Sequence, residues 1–95
     1  MDATRGITAV VIVVGMDQPG IVAAVAACLA ARDINIRDIS QSYAHEFFTI
    51  IMIVEFTESS GTIKEVEAAL KEAVQDKKLF VSIQHEDVFR AMHRI

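Results

Sequence analysis

The stretch Ile7-Thr8-Ala9-Val10-Val11-Ile12-Val13-Val14 is apolar or β-branched throughout and stops at Gly15. Its length and branching predict a strand with apolar residues on both faces rather than a helix. Phe47–Phe56 (FFTIIMIVEF) reads the same way. Working outward from the first stretch, Gly15-Met16-Asp17-Gln18-Pro19-Gly20 is a turn that opens a helix. Asp17 reads as its N-cap, and Pro19 suits a first turn, where a missing N–H costs nothing. Residues 21–32 follow, with Val22, Val25, Ala26 and Leu29 at helical spacing. Residues 34–43 (INIRDISQSY) mix apolar and polar positions, as a half-exposed strand near a sheet edge does. Their apolar phase slips between Ile36 and Ile39, which predicts a bulge there.

Beyond the second apolar stretch, residues 57–61 form a loop, and Thr62 with Glu65 has the spacing of a capping box. Ile63, Val66, Leu70 and Val74 mark the buried stripe of a second helix, with Lys64, Glu67, Lys71 and Glu72 outside. Residues 79–83 are a last strand, and residues 88–95 a tail with apolar residues at helical spacing. Strand-helix-strand, twice over, predicts an α+β, ferredoxin-like βαββαβ sandwich: a four-stranded antiparallel sheet with both helices on one face. Right-handed crossovers put the first and third strands in the centre, and those are the two that lack polar alternation. We expect one domain over residues 1–95, with a core of about 7–83 and a tail of 84–95. Helices on one face leave the other apolar face uncovered, which soluble chains rarely tolerate. The expected cover is the tail (Val88, Phe89, Met92, Ile95) together with a second copy, the homodimer being the principal cover.

Composition narrows the function. The chain of 95 residues is 53% hydrophobic and 23% charged, with one proline, so it is not a disordered segment. Nine basic against thirteen acidic residues give a net charge of -4, without the clustered positive field that nucleic acid requires. The single cysteine, Cys28, excludes an internal disulfide and a paired-cysteine zinc site. No apolar run approaches the ~20 residues that span a bilayer, and the first residues lack a signal-peptide pattern, so no membrane association and a cytoplasmic location are expected.

The loop at residues 15–20 is the most informative segment. Backbone N–H groups at a helix N-terminus favour a carboxylate or phosphate, and Asp17 could accept from an ammonium group, so the pair matches a zwitterion. A plain turn with an N-cap explains the same residues, and the Gly-Lys-Ser/Thr ending of a phosphate loop is absent. Cys28 sits beside the buried helix stripe and reads as a small core residue. His85, Glu86 and Asp87 with His93 have metal-donor chemistry but no spacing that puts both histidines on one helical face, so no metal and no cofactor are expected. His45 reads as a solvent-facing turn residue. No nucleophile, base and acid converge, so no catalytic residue is nominated and the chain is not expected to be an enzyme.

Gly15-x-Asp17-x-Pro19-Gly20-Ile21, then Leu29, then Ile34-Asn35-Ile36, in this order of elements, resembles the ACT domain. The resemblance covers residues 7–83. With Ile39-Ser40-Gln41, Phe47-Phe48-Thr49 and the ending around His85 and Ala91-Met92-His93, the chain looks closer still to the free-standing single-ACT-domain proteins of bacteria and archaea. The resemblance implies a regulatory module that binds a small molecule, most often an amino acid, between two copies of the domain. It nominates Gly15, Met16, Asp17, Gln18, Pro19 and Gly20 from one copy, and Asn35 and Ile36 from the second strand of its neighbour. The Asn35 amide can both donate and accept, which suits either end of a zwitterion, and an ordinary turn residue also fits there. One departure from the family's pattern is Gly15, where some amino-acid-binding members carry a polar side chain. Output would pass through a separate effector protein. A second reading is a ligand-independent interaction or dimerisation module that regulates a partner enzyme or transcription factor through the apolar sheet face and the exposed second and fourth strands.

Overall fold

The structure is a computed structural model that describes residues 6–92. Strand β1 (Ile7–Met16) leads into helix α1 (Ile21–Ala31), strands β2 (Asn35–Ala44) and β3 (Phe47–Phe56), and helix α2 (Ile63–Ala73). A 3-10 turn (Gln75–Lys77), strand β4 (Phe80–His85) and helix α3 (Glu86–Met92) complete it. The sheet is antiparallel in the order β2-β3-β1-β4, so the two most apolar strands are central, as a ferredoxin-like fold requires. The β2–β3 register shifts between Ile36 and Asp38, which is the predicted bulge at Arg37.

One sheet face packs under the helices. Ala9, Val11 and Val13 of β1 and Ile50, Met52 and Val54 of β3 are fully or almost fully buried there against Val25, Leu29, Val66 and Leu70. Register places Val10, Ile12, Val14 and Met16 of β1, Thr49, Ile51 and Ile53 of β3, and Phe80 of β4 on the other face. Helix α3 touches β1 and β4 on the sheet's flank, and Val10 is 2% exposed although it stands outside the helix-side core. Beyond that corner no further described element packs on the face: Ile12, Val14, Ile51 and Ile53 are half-buried, and Met16, Phe47 and Phe80 are 53%, 50% and 62% exposed. His93 and Ile95 of the expected tail lie outside the described residues, as do the side chains of Phe89 and Met92.

Three local features position the loops and edges of the sheet. The capping box of α2 is complete: Thr62 Oγ1 accepts from the Glu65 N–H at 3.1 Å, and Glu65 Oε1 accepts from the Thr62 N–H at 3.0 Å. At α1 the expectation fails. Its N-cap is Gly20, not Asp17, at φ 85 in the left-handed region, and no side chain caps the helix. Pro19 therefore precedes the cap, and Asp17 stands too far back to reach the first turn. The sheet's two edges also differ. At β4 the Ile83 N–H points away from β1 and donates to Glu67 Oε2 of α2 at 3.2 Å. At β2 the Ile39 N–H donates to its neighbour Asp38 at 3.0 Å, and among the described residues no strand lies alongside.

Candidate functional site

A shallow cavity of about 230 Å³ lies on the helix side of the sheet, between the β1–α1 loop and the second half of β2. Asp17, Gln18, Gly20 and the first turn of α1 (Ile21, Val22, Ala23) form one wall. Gln41 and Tyr43 of β2 and Phe48 and Ile50 of β3 form the other. Ligand pockets usually enclose about 300–1,000 Å³, so within one chain this hollow is smaller than a typical ligand pocket.

Its chemistry follows from how the loop is held. The first N–H groups of a helix have no intrahelical acceptor. The first bond at this terminus runs from the Ala24 N–H to the Gly20 carbonyl at 3.0 Å, which leaves the N–H groups of Ile21, Val22 and Ala23 free for an outside acceptor. They carry the positive end of the helix dipole. The Lys77 ammonium adds to it, with Nζ 4.0 Å from where a Cβ on Gly20 would stand. Asp17 supplies the opposite sign: its carboxylate is exposed, while its backbone N–H donates to the Glu46 carbonyl at 2.9 Å and ties the loop to the β2–β3 hairpin. Tyr43 Oη donates to Gln41 Oε1 at 3.2 Å, which fixes the polar rim opposite.

The nominated residues fall into three groups. Asp17, Gln18 and Gly20 line the cavity. Gly15, Met16 and Pro19 do not. Met16 stands opposite Phe47 on the open face. A Cβ on Gly15 would run into the Leu79 side chain, so Leu79 occupies the space where a polar side chain would otherwise project. Asn35 and Ile36 lie at the far end of β2, beside Glu55 and Val54. From Tyr43 to Asn35 is about 25 Å at the ~3.3 Å rise of a strand residue. Ile36 is half-buried against the core, and Asn35 is exposed. Within one chain the two halves of the nominated site do not meet. Gln41 and Tyr43 were not singled out from sequence. Their one signal is the i, i+2 spacing after the bulge, which turns both toward the face of Phe48 and Ile50.

The remaining candidates take structural roles. Cys28 packs against the core, and burial pushes its thiol up from the ordinary value, the opposite of an activated nucleophile. His85 Nδ1 accepts from the Asp87 N–H at 3.0 Å and so caps α3. His45 sits exposed in the hairpin at φ 60. Among the described residues no three His, Cys, Asp or Glu side chains are placed to hold a metal ion. Nor is any described helix long and apolar enough to cross a membrane.

Comparison with known proteins agrees with this architecture. The family description "ACT domain" matches residues 8–84. A UPF0237 protein of Methanopyrus kandleri is 41% identical over 87 residues, covering 92% of this chain and 97% of its own length. One from Clostridium perfringens is 39% identical over 87 residues, covering 92% and 98%. An ACT domain protein of solved structure from Streptococcus pneumoniae superposes with a TM-score of 0.75 at 31% identity, covering 93% of this chain and 99% of that one. With four-fifths of its length inside the family description and relatives this similar along nearly their whole length, the chain belongs to the ACT domain family of regulatory, small-molecule-binding domains and to its UPF0237 members.

Proposed function

We propose that the protein senses a small zwitterion of the amino-acid class, bound between two copies of the chain, and that it regulates an effector protein rather than catalysing a reaction. The observation that carries this reading is the pairing of opposite signs on one small hollow. The free N–H groups of the first turn of α1 suit a carboxylate and Asp17 suits an ammonium, both on the wall of the same hollow, while Lys77 adds positive charge near the Gly20 backbone without lining it. One wall of the cavity is the edge strand β2, where a neighbour would complete it. Two β2 edges set side by side and antiparallel bring a second copy's Asn35 end beside this chain's loop, and the halves that are ~25 Å apart in one chain then converge. Differential affinity for one dimer geometry would supply the output.

This arrangement departs from the expected homodimer, which was to cover the apolar sheet face. The cavity and the uncovered apolar face lie on opposite sides of the sheet, so a neighbour along β2 leaves the open face for the effector. The second reading, a module that needs no ligand, draws on that same face of Ile12, Val14, Ile51 and Phe47. Thermal unfolding with each common amino acid at millimolar concentration separates the two. A ligand at 100 times its Kd adds ~2.7 kcal/mol, which moves the midpoint of a domain this size by roughly 10 °C or more. We expect such a shift with one or two amino acids and its loss in Asp17→Ala. No shift with any of them leaves the ligand-free module as the better account.

A further inference from the structure

The ligand wall and the open sheet face are on opposite sides of the molecule, yet one short segment touches both. Gln18 Nε2 donates across the fold to the Lys77 carbonyl at 3.0 Å and to the Met16 carbonyl of its own loop at 3.3 Å. Gln18 is half-buried, and its amide joins the loop to the connection that precedes β4. Two residues on, the Leu79 side chain fills the space left by the missing Cβ of Gly15, so the same connection meets the loop a second time. Between them Lys78 holds the left-handed conformation at φ 56, which non-glycine residues seldom adopt unless their surroundings fix them. Phe80 comes directly after, 62% exposed, opposite Val14 on the open face. On its other side the loop is pinned by the Asp17 N–H to the Glu46 carbonyl, which gives it a pivot.

We infer that residues 77–80 relay the state of the ligand loop to the open face of the sheet, with Gln18 as the clamp that couples the two. The relay rests on the ligand-binding reading, and it gives Gln18 a positioning role. A ligand drawn onto the first turn of α1 moves the loop about its Glu46 bond. The loop then pulls on the Lys77 carbonyl through Gln18 and presses on Leu79 through Gly15. Both displacements enter β4 at its first residue, whose aromatic ring stands on the surface left for an effector. The ring's surroundings therefore change with occupancy, although the ligand never reaches that side.

These 95 residues include no tryptophan, so Phe80→Trp in this chain gives a single reporter on the open face. Adding Gln18→Met keeps the side-chain length and removes both amide bonds. We expect acrylamide quenching of the indole to change by about twofold when the clamp is lost, as for a local opening. Gly15→Ala should change it by the independent route through Leu79, which keeps the test open if Gln18→Met folds poorly. Thr62→Ala, which weakens α2 elsewhere, should leave it unchanged. Each common amino acid then serves as a probe. One that raises the unfolding midpoint both with and without Gln18→Met, so that binding is retained, should shift the emission only where Gln18 is present; for one that Gln18→Met no longer binds, the quenching comparison alone decides the clamp. Equal quenching with and without the clamp overturns the relay, and so does a ligand-induced emission shift that survives Gln18→Met. If no amino acid raises the midpoint, the sensing reading fails on that result, while the quenching comparison still decides the clamp.

Discussion

Helices α1 and α2 are each 11 residues long and pack side by side on one sheet face, but they are built on opposite plans. Helix α2 (IKEVEAALKEA) has a complete capping box, a buried line of Val66 and Leu70, and charges elsewhere around it. Helix α1 (IVAAVAACLAA) has no charged residue and no side-chain cap, yet Val22, Ala23, Ala27 and Ala30 are exposed. A helix finished for water needs polar residues outside and satisfied N–H groups at its start. Helix α2 meets both conditions, whereas α1 leaves an apolar outer face and an open N-terminus, whose first turn borders the cavity. The difference is that α2 is finished for water at both its start and its outer face, and α1 at neither.

That contrast can be broken in four ways. The largest effect should come from what the helices share. Leu29→Ala and Leu70→Ala each empty a fully buried position, at a cost of about 2–5 kcal/mol by urea unfolding, and a much smaller loss for Leu29 would mean that α1 is held by something other than the core. Next come the two helix starts. Thr62→Ala should cost about 1 kcal/mol through the lost capping box. Gly20→Ala should cost about 1–2 kcal/mol for a different reason, the left-handed backbone at φ 85. Asp17→Ala should stay within about 0.5 kcal/mol of the parent, because it caps nothing.

Smaller in stability, but sharper for function, is a charge on either outer face. Ala27→Lys on α1 and Ala68→Lys on α2 are both exposed changes, expected within about 0.5 kcal/mol in the isolated fold. Sedimentation should show Ala27→Lys weakening self-association and Ala68→Lys leaving it alone; equal behaviour would erase the distinction between the helices. The smallest effect is chemical. Burial raises the Cys28 pKa, so less thiolate is present at pH 8, and an aromatic disulfide reagent should label the native chain much more slowly than the urea-unfolded one.

The fold was largely legible because each signal in it is local. Two-faced apolar character put β1 and β3 in the centre, the slipped phase of Ile36 and Ile39 located the bulge, and Thr62 with Glu65 marked the start of α2. The start of α1 was misread for an equally local reason. An aspartate before a helix is a capping signal only if the helix begins at once, and here Pro19 and the left-handed Gly20 intervene. The lining of the candidate cavity was legible on one wall only. Its loop could be picked out as a motif, but Gln41 and Tyr43 enter only through strand register. The separation of Asn35 from the loop is likewise a property of a whole sheet, which no short stretch of residues records. Gln18 looked like a ligand contact by position, and only its bonds to residues distant in sequence show where its amide is engaged.

The carboxylate of Glu67 on the outer N–H of Ile83 has a consequence for growth. A four-stranded sheet with two free borders can take on neighbours at both and extend without limit, as fibrils do. The Glu67 carboxylate takes one outward donor of β4 from within the chain, so a strand arriving at that border must first displace it. At β2 the Ile39 N–H is held only by its own neighbour, and among the described residues no strand lies alongside. Growth of the sheet is therefore biased toward the β2 border.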